Sequence, residues 1–444
     1  MLSTIRTTVT FALVCLTLIG TANAQQSVEV SGRTMGPIPF RVLVTTDDQE
    51  PEKLLAIKAA VNGSLQRVNE LMSTYLEDSD ISKFNRADST DWQSVDPDTV
   101  EVVARAIEIA KLTEGAFDPT VGPAVNEWNF GPNKKEAKLP SEERLSKLKS
   151  LVAYQTIEFR AEPAAIRKSN PQAELDLSAI AKGYAVDRVG QALGKLGYEN
   201  YMVVVGGEVM TRGERAQGGP WNVAVEKPES TGPTSRDVDR VHRVVKLSGR
   251  AIATSGDYRN FFEIDGKRYS HSIDPKTCAP VDHEMAIASV IADDCMTADA
   301  IATAVMVMGQ EKGAALCEKL GYTLLTVHRS DTADGRPYIT EASSDFPLSD
   351  AEEAKTETEA KPELEPESQK VASDSETSSI LPVFLATFFI FCLFVLGMAV
   401  GAIFNNKPVT GSCGGIANMT NEDGEAICGI CSKPTVDCTE PVEA

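Results

Sequence analysis

The stretch AELDLSAIAKGYAVDRVGQALGKLGYENYMVVVGGEV, residues 173–209, changes its apolar period partway along. In its first half, Leu177, Ile180, Ala181, Tyr184, Ala185 and Val189 recur at helical spacing and form one apolar face. Its end, YMVVVGGEV, is β-branched and bounded by glycine, which predicts a strand. Asp176 is placed to cap the helix, because a short carboxylate there accepts the first free amides. A glycine inside a helix costs about 1 kcal/mol relative to alanine, so Gly183 predicts close approach of a neighbour. Lys182 falls near the positive helix start, where anions are favoured. A capped surface helix with a solvated lysine fits the same residues.

Outward from this stretch, strand and helix patterns alternate. RVLVTT (residues 41–46) reads as a strand. PEKLLAIKAAVNGSLQRVNELMSTY (residues 51–75) reads as a helix, with Leu54, Ile57, Val61, Leu65, Val68 and Met72 on one face. No repeat of solenoid period is present. The fold class is therefore α+β for residues 25–347.

The two ends of the 444-residue chain read differently. Residues 1–24 hold one arginine, Arg6, then an apolar run, then Ala22-Asn23-Ala24, the pattern of a cleaved secretory signal peptide. Val14 is too large for a lipoprotein site at Cys15, so cleavage after Ala24 is expected. The net charge of −21 argues against nucleic acid as a partner, since phosphate binding needs a basic surface. Much of that charge sits in residues 348–379, an acidic spacer with few large apolar groups, expected to be disordered. ILPVFLATFFIFCLFVLGMAVGAIF (residues 380–404) carries no charge. At about 1.5 Å per residue it is long enough for the ~30 Å hydrocarbon layer. Exported at its front and spanning once, the chain would put residues 25–347 in the periplasm and residues 405–444 in the cytoplasm. Lys407 just past the span agrees with the positive-inside rule.

Four stretches suggest chemistry. GAFDPTVGPAVNEW (residues 115–128) is a Pro- and Gly-punctuated loop that could offer main-chain amides and an aromatic face, Phe117 beside Asp118, to a flat ligand. The helix containing Lys182 is the second. In the third, FFEIDGKRYSHSID, a hairpin turning at Asp265-Gly266 leads to His271 and Asp274. A histidine there could serve as a general base or as a hydrogen-bonded structural residue. In the fourth, TADAIATAVMVMG (residues 297–309), Asp299 and Thr303 are four apart on one side of an apolar helix. Their hard oxygens suit Mg²⁺; a dipole-favoured aspartate near a helix start is the plainer alternative.

Together these stretches resemble a known family. TMGPIPFRV, MSTYLEDSDISKFN, GAFDPTVGPAVNEW, LDLSAIAKGYAVDRV, VVVGGEV, AIATSGDYRNFFEIDGKRYSHSIDP and ADAIATAVMVMG occur in the order of the ApbE family of FAD:protein FMN transferases, over residues 27–347. The resemblance implies Mg²⁺-dependent transfer of FMN from FAD to a client Thr or Ser hydroxyl, releasing AMP. By matching motif, Met35, Tyr75, Ala116, Phe117, Asp118, Asp176, Lys182 and Ile273 would contact the flavin nucleotide. Asp299, Thr303 and the carbonyl of Ala179 would hold Mg²⁺. His271 would be the base, with Lys182 offsetting phosphoryl charge. Two departures stand out. The start Arg33-Thr34-Met35-Gly36-Pro37 differs from the family's, and Cys278 replaces a usual glycine. Glycine there suits a positive φ, and a disulfide from Cys278 to Cys295 or Cys317 stays open in an exported domain.

The end of the chain resembles a second family. LATFFIFCLFVLGMAVGAIFNNKPVTGSCGGI and the later CGIC, within residues 381–438, resemble NqrM, a maturation factor of the Na⁺-translocating NADH:quinone reductase. Cys413, Cys428, Cys431 and Cys438 offer four thiolates suited to iron, an Fe–S cluster or Zn. Partners implied are FAD and the flavin-accepting subunits of that reductase or a related Rnf-type complex, at the inner membrane. A membrane-anchored flavin-binding or electron-transfer protein and an FAD pyrophosphatase are the alternatives.

Overall fold

Burial alternates along the first strand pair and so builds the sheet. In the computed structural model, which describes residues 26–132, 139–228, 240–330 and 338–349, β1 (Ser27–Thr34) and β2 (Ile38–Thr45) pair antiparallel. Phe40, Val42 and Val44 of β2 point into the main core, as expected for RVLVTT. Helices α1 (Pro51–Met72) and α2 (Asp80–Arg86) follow, then β3 (Gln93–Ser94), α3 (Pro97–Leu112), α4 (Gly122–Glu127) and α5 (Glu142–Lys149). A small three-stranded sheet is completed by β4 (Ile157–Arg160) and β5 (Ala165–Lys168). Next come α6 (Ala181–Lys195), β6 (Tyr201–Val205), β7 (Glu208–Arg212), β8 (Trp221–Glu226), β9 (Val241–Leu247) and β10 (Ala251–Gly256). The hairpin β11 (Phe261–Ile264) and β12 (Lys267–Ser270) leads to the short pair β13 (Ile273–Asp274) and β14 (Ala279–Pro280). The described domain closes with β15 (Met285–Ala292), α7 (Cys295–Met308), α8 (Gln310–Leu320), β16 (Thr323–Arg329) and β17 (Tyr338–Ala342).

The main sheet has eight strands in the order β1-β2-β6-β7-β10-β15-β16-β17, every neighbouring pair antiparallel. Helices α1, α6 and α7 cover one face, where Ile57, Val61, Leu65, Tyr184, Val189, Ile301 and Val305 join the largest core. On the other face, Trp221, Val223, Val245 and Leu247 of the β8–β9 pair pack over Ile252, Ile287, Ile291 and Val327. The central strand β15 is thus buried on both faces along its whole length. A mixed α/β domain on an antiparallel sheet matches the α+β expectation.

Three local readings are corrected. YMVVVGGEV is two strands, β6 and β7, because Gly206 and Gly207 both take positive φ and turn the chain back. The helix containing Lys182 starts at Ala181, with Ile180 at its cap; Asp176 instead closes a tight turn, accepting from the amide and hydroxyl of Ser178. Among the described residues no disulfide forms: Cys278, Cys295 and Cys317 are free and buried. Among the described residues no helix is long and apolar enough to cross a membrane. The signal peptide, nearly all of the acidic spacer, the apolar run 380–404 and the cysteine-rich tail lie outside the described residues.

Candidate active site

The site starts where two helices touch backbone to backbone. A Cβ on Gly183 of α6 would lie 2.2 Å from the carbonyl oxygen of Cys295, the first residue of α7. Only glycine permits that approach, so the close contact expected from the sequence is real. One turn further along α6, Asp187 accepts from the amides of Cys295 (2.9 Å) and Met296 (2.8 Å). Asp294 accepts from the Thr297 amide at 2.7 Å. These bonds satisfy the free amides at the start of α7 and fix its second turn against α6. Asp187 is enclosed enough that burial pushes its carboxyl up to about 7, against the pull of the two amides.

That geometry aims Asp299, 2% exposed, at the start of α6. Its Oδ2 accepts from the Gly183 amide at 3.0 Å. The Lys182 ammonium donates to Asp299 at 3.1 and 3.3 Å and to Glu208 Oε1 at 2.9 Å. Desolvation works against the ammonium, but the charges of Asp299 and Glu208 outweigh it and raise its pKa above the usual lysine value. Two carboxylates share this one ammonium, and Glu208, 3% exposed, is raised by its burial. Gly206 passes directly overhead. A Cβ there would meet Ile38 Cγ2 at 3.0 Å, Glu208 Oε2 at 3.2 Å and Lys182 Cδ at 3.4 Å.

The expected Mg²⁺ donors fit this place. The Thr303 hydroxyl is one turn beyond Asp299, donating to its carbonyl at 3.1 Å, and stands 3.2 Å from the Ser255 hydroxyl. In a continuing helix the Gly183 amide would return to the Ala179 carbonyl; here it goes to Asp299, which frees that carbonyl. One carboxylate, one hydroxyl and one carbonyl are hard oxygen donors suited to Mg²⁺. Among the described residues no three His, Cys, Asp or Glu side chains gather into a metal cluster. Glu208 escaped the sequence reading, although a lone acid inside an apolar run was its signal.

His271 follows the hairpin β11–β12, which turns at Asp265 and Gly266 with φ of 52° and 76°, as DG predicts. Phe262 and Tyr269 of the hairpin stack with Trp128 and Phe130 at centroid distances of 5.4–6.5 Å. The His271 ring meets Phe130 edge-on at 6.3 Å. His271 keeps solvent access but stands in a crowded cleft. That desolvation pushes its pKa below the usual histidine value; the Lys182 charge adds to the shift and its bond with Asn260 opposes it. Ile273 and Cys278 are buried in the same aromatic cluster, and Trp128 Nε1 donates to the Cys278 carbonyl at 2.7 Å. Cys278 has φ 55°, so the position does demand left-handed backbone.

The remaining flavin candidates spread around the rim. Met35 (φ 47°) and Gly36 form the β1–β2 turn, and the Gly206 amide donates to Pro39 of β2. Tyr75 is 68% exposed, yet local crowding and the Asp176 charge still push its phenol upward. Asp176 is tied to the 115–121 loop by its amide, which donates to the Pro119 carbonyl at 2.7 Å. The loop itself folds inward: Ala116 and Phe117 are buried in the main core, so Phe117 offers no aromatic face to a ligand. The Asp118 carboxylate accepts from Thr120 (amide 2.8 Å, hydroxyl 2.6 Å) and from the Tyr154 amide (3.0 Å), and burial raises its pKa. Cys413, Cys428, Cys431 and Cys438 lie outside the described residues.

Known proteins resemble this chain in both regions. Residues 37–326 match the model of the ApbE family, and residues 402–441 match that of (Na⁺)-NQR maturation NqrM. An FAD:protein FMN transferase of Haemophilus influenzae is 37% identical over 340 residues, covering 74% of this chain and 94% of its own. One of Vibrio cholerae is 39% identical over 316 residues, covering 71% and 92%. The structure of flavin transferase ApbE from Vibrio cholerae superposes with a TM-score of 0.64 at 36% identity, covering 72% of this chain and 98% of that one. The apo flavinyl transferase ApbE of Pseudomonas stutzeri superposes at 0.63 with 33% identity, covering 72% and 95%.

Proposed function

The chain belongs to the ApbE family, and from that premise we propose its activity in full. It is an FAD:protein FMN transferase that splits the FAD pyrophosphate, passes FMN to a client Thr or Ser hydroxyl and releases AMP. The observation that carries this reading is the buried contact of Lys182 with Asp299 at the start of α6. An ammonium and a helix N-terminus together favour the pyrophosphate and the charge that gathers on it during transfer. Asp299, the Thr303 hydroxyl and the Ala179 carbonyl would hold Mg²⁺, which would add a further offset to that charge. His271, kept neutral by its cleft, would take the proton from the acceptor hydroxyl, a poor nucleophile without a base. Met35, Tyr75, Ala116, Phe117, Asp118, Asp176 and Ile273 would hold the nucleotide; for the buried residues 116–118 this would be through the loop's backbone and shape.

The client proposed is the Na⁺-translocating NADH:quinone reductase, or a related Rnf-type complex. The NqrM match supports the first. In this reading the four tail cysteines handle iron, an Fe–S cluster or Zn for the same client, from the cytoplasmic side of one span, and the transferase domain works in the periplasm. Full-length protein, FAD, Mg²⁺ and a client fragment test the activity in one mixture. Covalent fluorescent flavin on the fragment is expected. Free FMN without labelled client would mean an FAD pyrophosphatase, and neither product would leave only a flavin-binding protein.

A further inference from the structure

Lys182 stands between two carboxylates, and the proposed Mg²⁺ site claims one of them. Asp299 already serves the Gly183 amide and the ammonium. A dication at Asp299 would repel an ammonium held by the same carboxylate, because like charges a few ångströms apart repel strongly where water does not screen them. Lysine and cation can share the site only if something else keeps the ammonium aside.

Glu208 is built for that. Its backbone is fixed in β7, opposite Val205 of β6 in the antiparallel register. Its Oε1 lies 2.9 Å from the Lys182 nitrogen. Its Oε2 is buried without a hydrogen-bond partner, so the carboxylate is satisfied on one side only. The Gly206–Gly207 turn lies close to both side chains: a Cβ at Gly206 would crowd Glu208 Oε2 at 3.2 Å and Lys182 Cδ at 3.4 Å, so the lysine stem runs past it in tight contact.

We propose that Glu208 is a positioning residue that retains the Lys182 ammonium when a divalent cation takes Asp299, and so lets both cations occupy the site. This rests on the Mg²⁺ reading of Asp299, Thr303 and Ala179. Without the Glu208 charge, Lys182 has only Asp299 to pair with and competes with the cation.

The test is Mn²⁺ binding to the full-length protein, followed by the EPR signal of free Mn²⁺ with no FAD present. Glu208→Gln preserves shape, and thermal unfolding without metal checks that it folds. Glu208→Gln is expected to weaken Mn²⁺ binding on the order of tenfold. Lys182→Met, which removes the competitor, is expected to bind at least as tightly as wild type. The double variant is expected to recover most of the loss, since the two changes act through one contact. Unchanged binding in Glu208→Gln would overturn the inference. So would an equal loss with and without Lys182, because Glu208 would then act only through its own charge. If the wild type binds no Mn²⁺, the cation reading itself falls and takes this inference with it.

Discussion

Two residues carry predictions of their own. Cys278, itself buried, holds φ 55° in the turn after Asp274, its amide donating to the Asp274 carbonyl at 2.8 Å. A Cβ in left-handed backbone costs about 1–2 kcal/mol. Cys278→Gly and Cys278→Ala lose the same sulfur but differ in that Cβ. Cys278→Gly is therefore expected to be the more stable of the two by about 1 kcal/mol in denaturant unfolding. Burial also pushes the thiol up to about 11, so it is expected to resist thiol reagents at neutral pH until the protein unfolds. His271 gives the pH prediction. Its pKa lies below the usual histidine value, so the neutral, basic form persists as pH falls past 6.5 and is lost only at lower pH. The acidic limb of kcat/KM for flavin transfer is expected below pH 6.5. Placing it above 6.5 would contradict the cleft's effect on the ring. His271→Ala should still bind FAD but lose transfer. The left-handed position of Cys278 was legible in advance from the glycine that the family carries there. The inward turn of Phe117 was not, since a loop's sequence does not say which side of it meets the core.

At the scale of elements, the contact of α6 with α7 organises the site. A Cβ at Gly183 would press on backbone: the Cys295 carbonyl oxygen at 2.2 Å and Met296 Cα at 2.8 Å. Backbone cannot rotate aside as a side chain can. Gly183→Ala is therefore expected to lose at least about 3 kcal/mol of stability, the upper end of overpacking costs, and to weaken Mn²⁺ binding by displacing Asp299. Denaturant unfolding and the same EPR titration check both effects; wild-type values would mean the helices move apart without strain. Helix faces were legible because their period is local: of the six positions read in α1, all but Leu54 are buried. The start of α6 was not, because Asp176 bonds to Ser178 within its own turn and leaves the helix to begin five residues later. Glu208 was equally hidden. Its nearness to Lys182 depends on how β7 packs beneath α6, a contact between segments 26 residues apart.

At the scale of the whole molecule, the proposed reading divides the work between two compartments. The family was legible because the seven motifs lie on the elements that meet at Lys182 and Asp299 or carry the residues proposed for the flavin. The topology rests on residues 1–24 and 380–404, whose reading depends on composition and length. If the span returns the chain inward, Cys413 and Cys431 face the reducing side, where free or metal-bound thiols are the default. A membrane-impermeant maleimide is expected to label neither cysteine in sealed cells and both after lysis and metal chelation. Labelling in sealed cells would place the tail outside and remove the reducing-side argument for metal. The division also predicts separable defects. Cys413→Ser is expected to transfer FMN to a client fragment at the wild-type rate, because every residue proposed for the flavin and Mg²⁺ site lies within residues 35–303. It is expected to lower assembly of the reductase, read as the amount of intact complex in membranes. Lost transfer would mean that the tail acts on the flavin site, and normal assembly would remove the tail from maturation.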